Sequence, residues 1–348
     1  MDELGLKNTI EQQLKSSDSV TMKIHKGKNN FSLKILLEYY GAIFGFYLFK
    51  ILGLRCSSYL GGKLGVLIGR WVKPNKTALD NIAMVFPDYS HKQHKEIAKN
   101  MWENLGRNMA EIPHIKKIAT QHVECDATSA SNILKAQNFK QQQCHNNNRD
   151  RHEYNYNRHK HKDRANNMAN FGGSVMQKSI LIASGHFANW EIGGMALRNQ
   201  NLPSIGIYRG ANNKKVDQFI KKIRLESYQA VYPKGKEAAR AIIKHIKQNH
   251  NIGLLIDQKF NQGVDVPFFN KPAKTAPAIA ELALKYELPI LPARLIRLKA
   301  YQFKLQIEEP IDPAGKTTEE IMRQLHSIME NWIREQPHQW FFAHNRWS

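Results

Sequence analysis

The 348-residue sequence has few cysteines and lacks several motifs that would define a class of protein. Its three cysteines, Cys56, Cys125 and Cys144, form no C-x-x-C pair. An odd number of widely spaced cysteines argues against a disulfide framework or a zinc ribbon and favours a reducing compartment. Neither G-x-x-x-x-G-K-[ST] nor G-x-G-x-x-G occurs, so nucleotide binding has no support. No cluster of metal ligands stands out, and neither a metal nor a cofactor is expected.

Acidic residues are also scarce relative to basic ones. The 30 Asp and Glu residues face 51 Lys and Arg residues, which leaves a formal net charge of +21. Such a chain attracts phosphorylated lipid head groups, anionic membrane surfaces, acidic carrier proteins and nucleic acid. The basic residues are spread along the chain, without an aromatic platform or a recognition motif, so nucleic acid is not the expected partner. A basic nucleic-acid-binding protein remains the alternative from a different class.

The N-terminal part of the chain predicts a tail followed by a membrane anchor. Residues 1–30 are polar and lack the apolar core of a signal peptide, so a loose tail is expected. Residues 31–56 contain the apolar stretch Leu33–Leu54, of which Tyr39–Phe49 carries no charge. This segment either spans a membrane once or lies in its interface, and the alternative is a buried helix of a soluble bundle. The many lysines and arginines around it favour an anionic membrane surface.

Residues 57–348 are expected to form one domain, interrupted at 140–170 by a basic, Asn- and His-rich insertion. That insertion has almost no apolar content, so disorder is predicted. The part before it has the apolar periodicity of helices. The part after it alternates between short apolar runs and helical patterns, which predicts an α/β fold with a mixed, largely parallel sheet flanked by helices. The predicted strands are Ile180–Ala183, Ser204–Tyr208, Val231–Tyr232, Gly253–Ile256, Ile290–Leu295 and Phe303–Ile307.

The strand Ile180–Ala183 is followed by a Ser-Gly turn and then by His186. Open α/β sheets bind ligands at the carboxyl ends of their strands, which is where His186 is placed. Asn189 is expected to cap the following helix. We interpret His186 as a general base and Glu191, five residues on, as the carboxylate that orients its ring. The spacing itself is common, and the alternative is a histidine that hydrogen-bonds locally at a strand end.

Polar residues also follow two other predicted strands. Arg209 and Asn212 come after Ser204–Tyr208, and Asp257 and Gln258 come after Gly253–Ile256. These four residues are expected to bind substrate at the same sheet edge as His186. An arginine at such an edge suits phosphate, because its planar fork can donate two hydrogen bonds. Arg209 could instead be a surface residue, and Asp257 a cap of a helix or turn.

Two further features bear on the chemistry. The loop after these strands, with Pro267 to Phe269, either lines an apolar channel or covers the core. A histidine with a carboxylate, and no serine or cysteine nucleophile motif, suits direct transfer of an acyl group to an acceptor hydroxyl. The membrane anchor and the positive charge make an anionic lipid the expected acceptor.

The sequence resembles the bacterial lipid A biosynthesis acyltransferases, the late lauroyl and myristoyl group. The segment G-H-F-A-N-W-E at 185–191 is similar to the family signature. The similarity continues in I-Y-R-G-A-N-N at 207–213, G-L-L-I-D-Q at 253–258, V-P-F-F-N-K-P-A-K-T at 266–275 and P-H-Q-W-F-F-A-H-N-R-W at 337–347. Leu79–Pro87 matches an N-terminal helix of the family. The insertion at 140–170 departs from the pattern.

This resemblance implies a glycerolipid-acyltransferase-like fold and an enzyme on the cytoplasmic side of a bacterial inner membrane. It implies an acyl chain carried by acyl carrier protein as the donor and a hydroxyl of a lipid A precursor as the acceptor. It implies that His186 is the base, that Glu191 holds its ring, and that Arg209 and Asp257 belong to the same site. An acyltransferase acting on another glycolipid or on a lysophospholipid is the alternative within enzymes.

Overall fold

The computed structural model describes residues 33–139 and 178–347. The predictions of a tail at 1–30 and a disordered insertion at 140–170 concern residues outside this described part. The helices are α1 (Leu33–Gly69), α2 (Pro74–Val85), α3 (His91–Glu111), α4 (Ile115–Gln121), α5 (127–139), α6 (Gly193–Asn199), α7 (Lys214–Arg224), α8 (Lys236–Lys247), α9 (Ala278–Tyr286) and α10 (Thr318–Glu335). The strands are β1 (Val123–Cys125), β2 (Leu181–Ser184), β3 (Ser204–Tyr208), β4 (Ala230–Pro233), β5 (Asn251–Leu255), β6 (Val264–Phe268), β7 (Lys271–Thr275), β8 (Ile290–Lys299) and β9 (Gln302–Ile307).

Seven strands form one sheet in the order β1-β9-β8-β2-β5-β3-β4. All neighbours are parallel except β8 and β9, which are antiparallel. The predicted fold class, a mixed and largely parallel α/β sheet flanked by helices, is confirmed. Each of the six predicted strands overlaps an observed one, whereas β1, β6 and β7 were not predicted.

The position of β2 in the middle of the sheet explains why the run Ile180–Ala183 is apolar at every position and does not alternate apolar and polar residues. Leu181 and Ala183 pack into the core on one face of the sheet, and Ile180 and Ile182 pack into the core on the other. Because helices cover both faces of a parallel sheet, both sets of side chains must be apolar.

The aromatic loop at 267–269 belongs to an antiparallel hairpin of β6 and β7. Its two-residue turn consists of Phe269 and Asn270, whose φ angles are 51° and 57°. Such positive φ angles at both turn residues match the twist of a tight hairpin. Phe268 is 1% exposed and lies in the core, so the alternative in which this loop covers the core holds for Phe268.

Helix α1 extends past the predicted end of the anchor at residue 56. It is kinked at Gly53, which has φ 73° and ψ 164°, so it consists of two halves, 33–52 and 54–69. The second half packs closely on α3, because a Cβ atom at Gly106 would overlap the carbonyl oxygen of Gly61 and one at Gly69 would overlap the Trp102 ring. These glycines bring the two helix backbones into contact.

The first half of α1 also rests on the domain. Asn213 donates from Nδ2 to the carbonyl of Ile35 at 2.8 Å, and the rings of Phe46 and Phe219 meet edge to face. The outer face carries exposed apolar side chains, among them Phe44 at 68% and Ile51 at 83% exposure. Within residues 33–139 and 178–347, α1 is the helix long and apolar enough to cross a membrane. By its length and composition, this helix suits either a spanning or an interfacial placement.

Candidate active site

His186 lies just beyond β2, as predicted, at the carboxyl edge of the sheet. The turn before it leaves little room at Gly185. A Cβ atom there would lie 2.8 Å from Cε of Met329 and 2.9 Å from the Phe187 ring. Glycine therefore allows the chain to turn tightly and present the histidine at the strand end.

Asp257 meets His186 because β5 runs parallel and next to β2. Nδ1 of His186 lies 2.8 Å from Oδ1 of Asp257, and the backbone N–H of His186 donates to Oδ2 at 2.7 Å. Asp257 is 1% exposed. A proton on Nδ1 donated to this carboxylate leaves Nε2 as the acceptor of the ring. The Gln258 side-chain amide nitrogen is 3.5 Å from that Nε2, so the structure brings three predicted site residues together.

The predicted pairing of His186 with Glu191 is wrong in this structure. The Glu191 carboxylate accepts instead from Arg224 of α7, at 2.9 Å from Nε and through a second, shorter contact from Nη2. Burial disfavours the guanidinium charge, but the paired carboxylate outweighs it and raises the pKa of Arg224. The Glu191 side chain is committed to this ion pair. Asp257, which was expected to bind substrate, is buried against His186 and occupies the orienting position instead. The expectation that Glu191 holds the histidine ring is corrected accordingly.

The C-terminal segment supplies further partners of Asp257. Trp340 is fully buried and donates from Nε1 to Oδ2 at 2.9 Å, and Nε2 of His344 lies 3.2 Å from the Asp257 carbonyl oxygen. Burial opposes ionisation of Asp257, but the charge and hydrogen bonds of His186 and the charge of His344 hold its pKa below the ordinary value. The carboxylate therefore stays ionised in the protein interior.

The same segment is attached to the loop that carries the histidine. The Phe341 N–H donates to the His186 carbonyl at 3.1 Å, and the Ala188 N–H donates to the Gln339 carbonyl at 2.8 Å. Asn81 of α2 donates to the carbonyls of residues 342 and 344, both at 2.8 Å. Sequence reasoning did not assign Trp340 or His344 to the site. The signal that could have found them was the match of 337–347 to the family's closing motif.

Arg346 lies behind the site and is fully buried. It donates to Oγ1 of Thr275 at 2.6 Å and to the Lys274 carbonyl at 2.9 Å, and it lies 3.2 Å from Nε2 of His326. Burial lowers the pKa of Arg346 to about 10, with the Asp257 carboxylate acting in the opposite direction. Burial, followed by the charge of Arg346, lowers the pKa of His326 to about 4, so this imidazole is neutral.

Arg209 and Asn212 follow β3, two strands away from β2. Both are exposed, and among the described residues Arg209 pairs with no carboxylate. Their loop is held by Asp217, which accepts from the Ala211 N–H at 2.8 Å. Adjacent strands are about 4.8 Å apart, so the end of β3 lies about 10 Å from that of β2. Asn213, which caps α7, ties this loop to the first half of α1.

Asn189 does not cap a helix as predicted, because its side chain donates to the buried Glu111 at 2.8 Å. Glu111 also pairs with Arg297, whose guanidinium donates at 2.8 Å to Asn104 of α3. Asn104 in turn donates to the carbonyl of Ala188, which has a φ of 42°. Helix α3 and β8 thus hold the loop after His186 in its strained conformation.

Across residues 33–139 and 178–347, no three His, Cys, Asp or Glu side chains are grouped to hold a metal ion. The arrangement that is present is a histidine with its Nδ1 on a buried carboxylate and its Nε2 left as acceptor. Such a pair leaves Nε2 able to accept a proton from a neighbouring group.

The chain belongs to the bacterial lipid A biosynthesis acyltransferase family, whose model matches residues 24–348. It is accordingly an acyltransferase. None of the curated proteins matches the chain. Among solved structures, it is similar to the crystal structure of the 1-acyl-sn-glycerophosphate (LPA) acyltransferase PlsC from Thermotoga maritima. The identity is 12%, the TM-score is 0.33, and the match covers 88% of this chain and 99% of that one.

Proposed function

We propose that this acyltransferase moves a lauroyl or myristoyl chain from acyl carrier protein to a hydroxyl of a lipid A precursor. The observation that carries the proposal is the pair of His186 and buried Asp257, which leaves Nε2 as the acceptor of the ring, in a chain of this family. No cofactor is needed for the transfer, because the thioester of the donor is already activated.

In this mechanism Nε2 of His186 takes the proton of the acceptor hydroxyl as its oxygen attacks the thioester carbonyl. The tetrahedral intermediate then collapses, and the carbon–sulfur bond breaks. The departing thiolate takes the proton back from the imidazolium, so the products are an ester and a free thiol. Asp257 fixes the tautomer of His186 and stabilises the imidazolium while it exists.

The oxyanion of the intermediate needs a donor. The amide of Gln258 is our candidate, because it lies 3.5 Å from the nitrogen that receives the proton. Arg209 and Asn212 are candidates for binding a charged or polar group of a substrate, since both are exposed at the same sheet edge. Glu191 has a structural role in this proposal, because it links the histidine loop to α7 through Arg224.

The surroundings of the site support a membrane substrate. The loop of Arg209 is bonded through Asn213 to α1, whose outer face is apolar and exposed. The net charge of +21 favours an anionic leaflet and an acidic carrier protein. We therefore place the enzyme on the cytoplasmic side of a bacterial inner membrane.

The test is a panel of acceptors and donors with the full chain in detergent. Lauroyl- and myristoyl-acyl carrier protein are each offered with a tetra-acylated lipid A precursor, a lysophospholipid or another glycolipid. Ester formation on the lipid A precursor, lowered about 10²-fold or more in His186→Ala, is the expected result. Preferred acylation of a lysophospholipid or another glycolipid would replace the proposed acceptor and leave the family assignment in place.

A further inference from the structure

A basic cleft of about 350 Å³ lies beside the second half of α1, away from the candidate active site. Its walls come from α1, from α3 and from the turn between β8 and β9. Three cations line it, Arg55, Arg107 and Lys299, together with the rings of Tyr59 and Tyr301. No carboxylate is among its lining residues.

The walls of this cleft are fixed by hydrogen bonds below them. Arg107 donates to Oγ of Ser58 at 3.0 Å and forms an ion pair with Glu103. Ser58 donates in turn to the fully buried Glu111 at 2.7 Å. On the other wall, Arg297 pairs with the same Glu111 and also donates to the carbonyl of residue 300 in the turn. The cleft is therefore formed before any ligand arrives.

The two exposed cations of the cleft are available to bind an anion. Arg55 and Lys299 are exposed, and neither has a carboxylate partner within the described ranges. Lys63 lies over the Tyr59 ring at 5.5 Å, which puts a further positive charge next to a residue of the cleft wall. Glu103 neutralises Arg107 alone, so the cleft keeps a positive excess that suits an anion.

The mouth of the cleft adjoins the apolar face of α1. Arg55 and Tyr59 are spaced four residues apart and lie along one side of the second half of α1, beyond the kink at Gly53. Tyr59 is 57% exposed, and Leu298, next to the cleft lysine, is 52% exposed. Tyrosines and basic residues beside an apolar stripe are typical of the level of lipid head groups.

We propose that this cleft binds a phosphate group of a membrane lipid. Guanidinium and ammonium groups would hold the phosphate oxygens, while the lipid chains would lie against the exposed apolar residues of α1. The phosphate has two possible sources, a phospholipid of the bilayer or a phosphorylated acceptor. The site is separate from His186, so its occupancy does not depend on the proposed reaction.

Binding of dihexanoyl phosphatidic acid to the full chain in maltoside micelles, followed by isothermal titration calorimetry, tests the proposal. The wild type is expected to bind one molecule and to bind dihexanoyl phosphatidylcholine far more weakly. The double variant Arg55→Gln with Lys299→Gln is expected to weaken binding about tenfold or more, since it removes two cations that would attract the lipid phosphate.

The matched control is Lys92→Gln with Lys95→Gln, which removes the same charge from exposed positions at the start of α3. It is expected to bind within about twofold of the wild type. Equal losses of affinity in the two double variants, or no loss in the cleft variant, would overturn the proposal.

A competition experiment then identifies the source of the phosphate. Displacement of phosphatidic acid by a phosphorylated lipid A precursor, but not by its dephosphorylated form, indicates the acceptor, and lack of displacement indicates a bilayer phospholipid. Both outcomes of the competition are read only after binding at the cleft has been shown, and neither depends on catalytic turnover.

Discussion

The Asp257 carboxylate accepts hydrogen bonds from Nδ1 and the backbone N–H of His186 and from Nε1 of Trp340. Replacing it with asparagine keeps its shape but leaves one acceptor oxygen for these three donors. If the amide NH2 faces Nδ1, the ring must take the other tautomer, with its proton on Nε2, and it cannot act as a base. If the NH2 faces the other two donors, a buried donor–donor contact results.

Either orientation also removes the charge that stabilises the imidazolium. A hydrogen bond to a charged group contributes about 1.5–3 kcal/mol, which is about 10- to 150-fold in rate. The wrong tautomer or an unsatisfied buried donor adds about 1–3 kcal/mol. We therefore expect Asp257→Asn to lower kcat by about 10²- to 10⁴-fold, the range of general-base catalysis.

The assay is initial-rate acyl transfer from acyl carrier protein with saturating acceptor, at several pH values. Glu191→Gln is the matched control, because it also converts a carboxylate to its amide, and it keeps one oxygen for Arg224. Its kcat is expected to stay within about threefold of the wild type, because the Glu191 carboxylate bonds to Arg224 and contacts neither His186 nor Asp257. A larger loss in Glu191→Gln than in Asp257→Asn would refute the assignment of Asp257 as the orienting carboxylate.

Three further predictions follow from the packing and titration of buried groups. Trp340→Phe removes one donor to the orienting carboxylate, and kcat measured in the same assay is expected to fall about tenfold with little change in KM. Gly106→Leu places a side chain against the Gly61 carbonyl, so the apparent Tm in detergent is expected to fall steeply through overpacking of the α1–α3 contact. His326 has a folded-state pKa of about 4, below its ordinary value of about 6.5, so the unfolded state binds more protons between these values. Its contribution to stability is full above about pH 6.5 and falls by about 3 kcal/mol as the pH drops to about 4, and His326→Gln is expected to flatten the corresponding fall in Tm.

Each of these changes has a control. Trp347→Phe removes another indole donor, bonded to the Phe268 carbonyl at 3.0 Å, and is expected to keep kcat close to the wild type. Gly41→Leu adds a side chain to α1 where a Cβ atom meets nothing within 4 Å, so an equal loss of Tm there would contradict the packing argument. A Tm that falls equally between pH 6.5 and pH 4.5 in His326→Gln and the wild type would show that this histidine does not titrate as described.

The main strands and the position of the histidine could be predicted because they depend on local sequence. The run before His186 is apolar at every position, which indicates a strand covered on both faces, and a polar residue after such a strand lies at the ligand edge. The same reasoning placed Asp257 and Arg209 at that edge. The hairpin at β6 and β7 was missed because Pro267 argues against a strand, although Val266 and Phe268 alternate with exposed neighbours.

The partner of the histidine could not be predicted, because it depends on which strands are neighbours. Asp257 is 71 residues from His186 and meets it only because β5 lies next to β2. Glu191 is closer in sequence, but its partner Arg224 lies on α7, 33 residues away. The extension of α1 beyond residue 56 is indicated by the local sequence. Gly61, Gly65 and Gly69 are spaced four residues apart, the pattern of a helix face that approaches another helix closely.

The most direct test of the account is acyl transfer by the native chain and by His186→Ala. Lauroyl- and myristoyl-acyl carrier protein serve as donors and a tetra-acylated lipid A precursor as the acceptor, with the ester product identified by mass spectrometry. Turnover by the native chain and a loss of about 10²-fold or more in the variant are predicted, because a general base contributes at least that much. Undiminished turnover in His186→Ala would contradict the role of His186 as the base.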